Sequence, residues 1–340
     1  MPKATKETKE TKDKSTRERI RCDFCEHRCN LADGETGRCA IRRREGDRIV
    51  TTNYGRAVSL AVDPIEKKPL YHFYPGGSAL SVALFGCNMG CEFCQNATIS
   101  QPEFFGSLNT RYVSPEEIAR ELERGGHPVA AYTYSEPSVW QDYMLDSARG
   151  VKAVGGSNVM VTNGWFTRES LERFLPWIDA FNIDLKGGDQ FYREICKTPM
   201  KPVLRNIREI AAMEDGPILE VTTMLLEGAH TEEEIMSLAY ALDEAGVQVW
   251  HLSAFRPSYK MREWKSTSEA FLERIYHRSK EETNIPFIYG FSRRHREYEQ
   301  TFCPACGTLC IDRWGFEVYE NRLMGSACPS CGAEIYGRFD

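Results

Sequence analysis

Three cysteines at the spacing C-x3-C-x2-C, Cys87, Cys91 and Cys94, stand directly behind the apolar run Leu80 to Phe85. Such a run reads as a strand, which puts the cysteines on the loop at its carboxyl end. A closed cubane [4Fe–4S] cluster has four irons and takes four thiolates. A tight loop with three cysteines holds three irons and leaves the fourth open to a small molecule. A structural zinc would want a fourth protein ligand, as would any closed site. The competing reading is a zinc site, or cysteines that merely lie in a loop, but three cysteines so spaced behind a strand point to a metal role.

The strand before this loop is the first of a series. Apolar, β-rich runs recur at Val129–Tyr134, Asn158–Thr162, Ala180–Leu185, Ile218–Met224 and Val247–Ser253. Between them, Ser114-Pro-Glu-Glu117, Thr167-Arg-Glu-Ser170 and Thr231-Glu-Glu-Glu234 carry helix-start signals. Six β/α units at this spacing predict parallel strands joined by crossover helices. A doubly wound nucleotide-binding sheet would carry a glycine-rich fingerprint after its first strand, and neither G-x-G-x-x-G there nor G-x-x-x-x-G-K-[ST] anywhere occurs. The expected fold is therefore α/β, a partial (β/α)6 TIM-like barrel with a small N-terminal Cys-rich segment and a C-terminal zinc-ribbon-like module. The expected boundaries are a disordered tail at 1–21, the Cys-rich segment at 22–78, the barrel at 79–295 and the ribbon-like module at 296–340. A barrel gathers the carboxyl ends of its strands at one mouth. Polar groups recur there: Tyr132 to Pro137, Thr162-Asn-Gly164, Asp184-Leu-Lys186 and His251.

Of 13 cysteines, twelve fall in three groups and Cys196 stands alone, which reads as buried rather than reactive. Met1 to Arg21 is rich in Lys, Thr and Glu without an apolar core, so it is no secretory signal. No run approaches 18 apolar residues, so no membrane span is expected. Close C-x-x-C pairs in such a chain suggest a cytoplasmic protein with metal centres rather than disulfides. The net charge of −6 argues against nucleic acid as a main partner.

The first cysteine group, Cys22, Cys25, Cys29 and Cys39, could surround one metal ion or hold a second iron–sulfur cluster serving as an electron relay; His27 is a substitute ligand or a solvated loop residue. The last group is Cys303-Pro-Ala-Cys306-Gly and Cys328-Pro-Ser-Cys331-Gly, two knuckles that read as a closed zinc ribbon, with Cys310 outside the set. Lys67, Lys68, Tyr71 and His72 are candidates for facing the site, but spacing alone favours core packing of the aromatics and solvated lysines. Arg256, Tyr259 and Lys260 line either a substrate approach or a surface loop, and Trp140, Trp165 and Phe255 are candidates for drying the mouth.

The loop Cys87 to Cys94, with the aromatic Phe93 before its last cysteine, resembles the cluster motif of the radical S-adenosylmethionine (radical SAM) superfamily. In that superfamily the amino and carboxylate groups of S-adenosylmethionine chelate the open iron. The strand-end residues resemble the pyruvate formate-lyase activating enzyme branch, although Tyr134-Ser-Glu-Pro137 lacks the two glycines of the corresponding motif. The resemblance implies that Phe93, Asn96, Ser135, Glu136, Asn163, Asp184, Lys186 and His251 surround the cosubstrate. The three cysteine groups together, with Asp63 to His72, resemble the AmmeMemoRadiSam system radical SAM enzyme family. Glu26, where that family often has Pro, and the basic stretch Ser292 to Arg296 are departures. The implied activity is reductive cleavage of S-adenosylmethionine to a 5′-deoxyadenosyl radical that takes hydrogen from a substrate, either a protein residue or a small molecule. The implied partners are an electron donor of the flavodoxin or ferredoxin type and proteins of the Memo and AMMECR1 types. The alternative is a metal-binding adaptor without turnover for such partners.

Overall fold

A computed structural model describes residues 19–340, so the expected tail lies outside the described residues as far as residue 18. Its last residues are not tail: β1 (Ile20–Arg21) pairs antiparallel with β2 (Asn30–Leu31) around the first cysteines. A hairpin of β3 (Arg42–Glu45) and β4 (Arg48–Thr51) follows, turned at Gly46 with φ +63°.

The main sheet has nine strands. β5 (Arg56–Pro64) runs antiparallel to β6 (Ser78–Leu84) and to the edge strand β7 (Arg111–Tyr112). Alternation over Asp47 to Val62 reads like strands of a small sheet; its second half, β5, belongs to the large one. From β6 the sheet continues in chain order through β8 (Val129–Tyr132), β9 (Ser157–Thr162), β10 (Ala180–Asp184), β11 (Ile218–Leu225), β12 (Val249–Ala254) and β13 (Phe287–Gly290), all parallel. Six of these seven are the predicted runs. β13 is added, a four-residue strand that begins directly after Pro286, a residue that reads as a break.

The helix starts form where the capping residues stand. The Ser114 hydroxyl accepts from Glu117 N at 3.2 Å, Thr167 from Ser170 N at 3.2 Å and Thr231 from Glu234 N at 3.1 Å. They open the helices Pro115–Gly125, Arg168–Phe174 and Glu232–Glu244. These turns bury apolar faces on the sheet, and β8 is buried along its whole length. Parallel strands covered on both faces show such continuous burial.

The segment between β5 and β6 fills the other face. Asn182 of β10 donates to Pro69 O at 2.7 Å, and Glu220 of β11 accepts from Tyr71 N at 2.9 Å and His72 N at 2.8 Å. One short segment thus reaches successive strands. The expectation of solvated lysines fails for Lys68, whose ammonium is buried 2.8 Å from Asp63 and 3.1 Å from the Tyr134 hydroxyl. Burial pushes the Lys68 ammonium down to about 8. Lys67, half-exposed, pairs with the same carboxylate at 2.6 Å. The C-terminal sheet of β14 (Thr301–Phe302), β15 (Leu309–Trp314) and β16 (Glu317–Asn321) locks onto this segment through Arg313, fully buried and donating to Tyr71 O at 3.0 Å.

His72 sits between Tyr336 O at 2.5 Å and the Tyr289 hydroxyl at 2.6 Å. Its complete burial lowers its pKa to about 4. An unfolded histidine protonates near 6.5. Between those two values the unfolded chain binds the extra proton, so stability is present above pH 6.5 and is lost as pH falls towards 4, by roughly 3 kcal/mol. His230, also buried, is lowered to about 4 and acts in the same direction. Denaturant midpoints measured from pH 7 to pH 4 should fall through this window; a flat profile would contradict the buried, neutral imidazoles.

Candidate active site at the three-cysteine loop

The chain leaves β6 through Phe85 and Gly86. Gly86 has φ +111°, and a Cβ there would lie 3.1 Å from Ile41, so both backbone shape and packing call for glycine. The turn is fixed at both carboxyl-end neighbours: Gly86 O accepts from Glu136 N at 3.1 Å, and Gly86 N donates to Ile99 O at 2.8 Å. The three thiols follow. Cys87 Sγ receives Met89 N at 3.4 Å and Asn163 Nδ2 at 3.6 Å. Cys94 Sγ lies 3.7 Å from the Ser100 hydroxyl. Cys91 is buried against the Cys196 thiol.

Cys196 is therefore buried, as expected, but not remote. Its helical turn, Tyr192–Cys196, braces the loop through Gly90 N to Cys196 O at 3.2 Å and Glu92 N to Ile195 O at 3.1 Å. The Lys197–Glu92 ion pair at 2.6 Å closes the same contact. A lone cysteine 100 or so residues downstream carries no signal of this in the sequence.

Burial raises the Cys87 and Cys94 thiols, and for Cys91 the contact with Cys196 raises it first and burial second. Such sulfurs ionise when a metal supplies the missing positive charge. Among the described residues, the ribbon cysteines alone form a group of three or more ligand atoms all within 4.8 Å of one another. The three loop sulfurs do not form such a group. Thiolates shared among the irons of a cube stand farther apart than thiolates on one ion, so the donor set fits an iron–sulfur cluster.

Around the loop the structure gathers most of the residues expected there. Asp184 and Lys186, at the end of β10, pair at 2.7 Å. Burial works against the Lys186 charge, but Asp184 and the neighbouring Cys91 and Tyr192 outweigh it and raise its pKa well above the ordinary lysine value. Its ammonium lies 5.9 Å from the Phe93 ring, which stacks on Phe191 at 5.8 Å. Asn163, at the end of β9, also donates to Asn88 Oδ1 at 2.7 Å, so it grips the loop beside Cys87. Asn96 donates to Tyr134 O at 2.9 Å, and Ser135 to Leu84 O at 2.5 Å. The first joins the loop to the end of β8, where Tyr134 adopts φ +69°, and the second ties that end to β6.

Two expected cosubstrate contacts come out differently. The Glu136 carboxylate is buried and turned into the scaffold: it accepts from Ser138 N at 3.0 Å, the Thr162 hydroxyl at 2.7 Å and Asn163 N at 2.8 Å. It clamps the end of β8 to the end of β9 and sets the position of Asn163. His251 is fully buried and its Nε2 sits 2.6 Å from Glu220, with its ring stacked on Tyr289 at 5.2 Å. Through Thr222 it stands two strands from Asp184, roughly 9.5 Å at ordinary strand spacing. The structure does not bring His251 against the cysteine loop.

Trp140, Trp165 and Phe255 are core residues, at most 3 % exposed, rather than an open lining. The segment after β12 does reach the loop: Lys260 N donates to Glu92 O at 3.0 Å, and the Tyr259 hydroxyl donates to Glu103. Sequence reasoning missed Ser100, the Glu92–Lys197 brace and the Asp63–Lys68–Tyr134 cluster, none of which has a spacing signal.

The two flanking cysteine groups differ in geometry. In the ribbon, Cys303 and Cys331 sulfurs are 3.7 Å apart, as are those of Cys306 and Cys328. A tetrahedron with ~2.3 Å zinc–sulfur bonds has edges of about 3.8 Å. Cys310 is buried beside the set and lies outside it. Of the first group, Cys22, Cys25 and Cys39 are buried and Cys29 is half-buried, and the four do not close to that spacing. His27 faces the cysteine loop, its Nε2 2.8 Å from Asn88 O.

The sequence profile described as the Radical SAM superfamily matches residues 82–271. An uncharacterized protein of Methanocaldococcus jannaschii is 36% identical over 324 residues, covering 93% of this chain and 95% of its own. A second protein of the same organism, provisionally named a glycyl-radical enzyme activating enzyme, is 24% identical over 190 residues, 54% of this chain and 75% of its own. Among solved structures, SuiB of Streptococcus suis bound to S-adenosylmethionine matches with a TM-score of 0.49 and 15% identity over 71% of this chain and 56% of its own. A domain of pyruvate-formate lyase-activating enzyme from Bacteroides vulgatus matches with a TM-score of 0.40 and 18% identity over 47% of this chain and 96% of its own. No helix among the described residues is long and apolar enough to cross a membrane.

Proposed function

Because this chain belongs to the radical SAM superfamily and is an enzyme of that class, we propose that Cys87, Cys91 and Cys94 hold a [4Fe–4S] cluster whose open iron binds S-adenosylmethionine. The observation that carries this reading is the set of three loop thiols, Cys91 buried and Cys87 and Cys94 half-buried, beside the half-buried Lys186–Asp184 pair. Held there, the cluster would supply one electron for reductive cleavage of the sulfonium C–S bond of S-adenosylmethionine, the source of the 5′-deoxyadenosyl group that would take a hydrogen atom from the substrate.

The chain's own residues bind, orient and keep water out. Lys186 offers a fixed cation to the methionine carboxylate. Asn163 and the Met89 N–H steady the Cys87 sulfur. Glu136 acts through Asn163 rather than on the cosubstrate. Phe93, over Lys186, excludes water from one side. Asn96 holds the loop to the β8 end, and Ser135 ties that end to β6. His251, held by Glu220, can meet only the far end of a large cosubstrate or the substrate itself.

The finer assignments rest on the same reading. The sheet is a partial barrel curled around the segment before β6, with the Cys-rich segment, barrel and ribbon-like module as three parts of a cytoplasmic protein. The ribbon cysteines bind zinc. The membership is the AmmeMemoRadiSam system family, which brings Memo- and AMMECR1-type proteins as partners and a flavodoxin- or ferredoxin-type electron donor. The hydrogen donor is a protein residue or a small molecule.

The test is cosubstrate binding. Adding S-adenosylmethionine to the reduced, reconstituted protein should change the electron paramagnetic resonance (EPR) signal of the loop cluster. In Lys186→Met, the concentration needed for that change should rise about 30-fold, the worth of roughly 2 kcal/mol for one charge-assisted contact. An EPR signal indifferent to S-adenosylmethionine would defeat the reading, and an unchanged affinity in Lys186→Met would remove the lysine from it.

A further inference from the structure

Cys22, Cys25, Cys29 and Cys39 are each met by main-chain N–H groups. Phe24 N–H is directed at Cys22, His27 N–H at Cys25, and those of Ile41 and Arg42 at Cys39. Arg38 N lies 3.5 Å from Cys29 Sγ. Neutral thiols are weak acceptors, whereas metal-bound thiolates take up such donors. The backbone is bent to aim them. Arg28, before Cys29, has φ +44°, and Ala40, after Cys39, has φ +62°. Side-chain-bearing residues rarely hold that conformation, and it costs of order 1 kcal/mol or more at each.

The protein carries its own ruler for what the four sulfurs hold. The ribbon pairs stand at 3.7 Å, the spacing of a single tetrahedral ion. Among the N-terminal four, Cys25 lies within electrostatic reach of Cys22, Cys29 and Cys39, yet no three of the sulfurs all lie within 4.8 Å of one another, and the same holds for Cys87, Cys91 and Cys94.

Their position points to electron transfer. Cys25 and Cys39 belong to the same buried apolar core as Phe85, Met89 and Cys91. Ile41 packs on Gly86, the residue before Cys87. His27 bonds to Asn88 O at 2.8 Å, the residue after Cys87, and packs edge-on against Trp165 at 4.5 Å. A staple for a small domain has no need of that contact. A relay does.

We infer that Cys22, Cys25, Cys29 and Cys39 hold a second [4Fe–4S] cluster that passes single electrons to the cluster on Cys87, Cys91 and Cys94, with His27 and Asn88 as the bridge. The inference rests on the loop cluster proposed above. A low-potential one-electron donor protein of the flavodoxin or ferredoxin class loses one electron, the N-terminal cluster accepts it and returns to its oxidised state on handing it on, and the loop cluster is reduced. No covalent bond changes and no proton moves in this step.

Iron and acid-labile sulfide are counted on full-length, anaerobically reconstituted protein. The Cys87→Ala, Cys91→Ala, Cys94→Ala variant, whose N-terminal segment is untouched, should retain half the iron and sulfide of the unaltered chain. Iron falling to nothing in it overturns the second cluster; iron staying at the full value overturns the loop assignment instead. Replacing Cys22, Cys25, Cys29 and Cys39 together by alanine should remove the other half with zinc unchanged, and loss of one zinc with iron unchanged overturns the inference. In His27→Phe both clusters should remain by iron count and EPR. Reduction of its loop cluster by a reduced flavodoxin-type protein should slow at least tenfold, while reduction by dithionite, a small reagent that reaches the loop from solvent, should not. Equal slowing with both reductants, or none, overturns the relay.

Discussion

Glu136→Gln is expected to lower the unfolding free energy by about 2–3 kcal/mol and, in the molecules that remain folded, to loosen the loop grip of Asn163. The side chain is 1 % exposed and accepts three hydrogen bonds, two at one oxygen from Ser138 N and the Thr162 hydroxyl and one at the other from Asn163 N. Burial raises its pKa, and those donors work to lower it. Glutamine has the same shape but one of its two ends is an NH2 group. Whichever way it turns, a donor faces a donor in a site closed to water. The unsatisfied groups carry the cost. A direct contact with the cosubstrate makes a different prediction: weaker S-adenosylmethionine binding with the melting transition in place. Thermal or urea unfolding of both proteins, followed by a binding titration, separates the two. A variant that melts with the unaltered protein would return Glu136 to the cosubstrate.

The Glu136 result shows where reading a sequence stops. An acidic residue just past a strand end is equally a ligand or a clamp, and the choice depends on which neighbouring strand end meets it. Here Thr162 and Asn163 do, from β9. His251 is the same case. Its place on β12 is legible, but Glu220, its partner, sits on another strand and comes within reach through parallel register. Lys68 reads as solvated in Glu66-Lys-Lys-Pro69, yet Asp63 and Tyr134 make it a buried cation. β13, Phe287–Gly290, escapes notice because Pro286 stands directly before it and reads as a break. The cysteine loop was legible because its chemistry is local: three sulfurs in eight residues need no tertiary partner to declare themselves. Its supports, Cys196 and Ser100, come from packing.

Loss of the loop cysteines should have the largest effect of any substitution. Cys87, Cys91 and Cys94 are the whole protein ligand set of the proposed cluster, so replacing all three removes the iron on which cosubstrate binding and electron delivery both depend. The ribbon and the β/α framework do not use these sulfurs, and the variant should still unfold cooperatively and keep whatever metal the ribbon cysteines hold. The direct measurement is anaerobic incubation of the reconstituted protein with dithionite and S-adenosylmethionine, with 5′-deoxyadenosine and methionine quantified by chromatography. The unaltered protein should form both products in equal amounts, and the Cys87→Ala, Cys91→Ala, Cys94→Ala variant should form neither above background. Product formation that persists in the folded variant would contradict the placement of the chemistry on this loop.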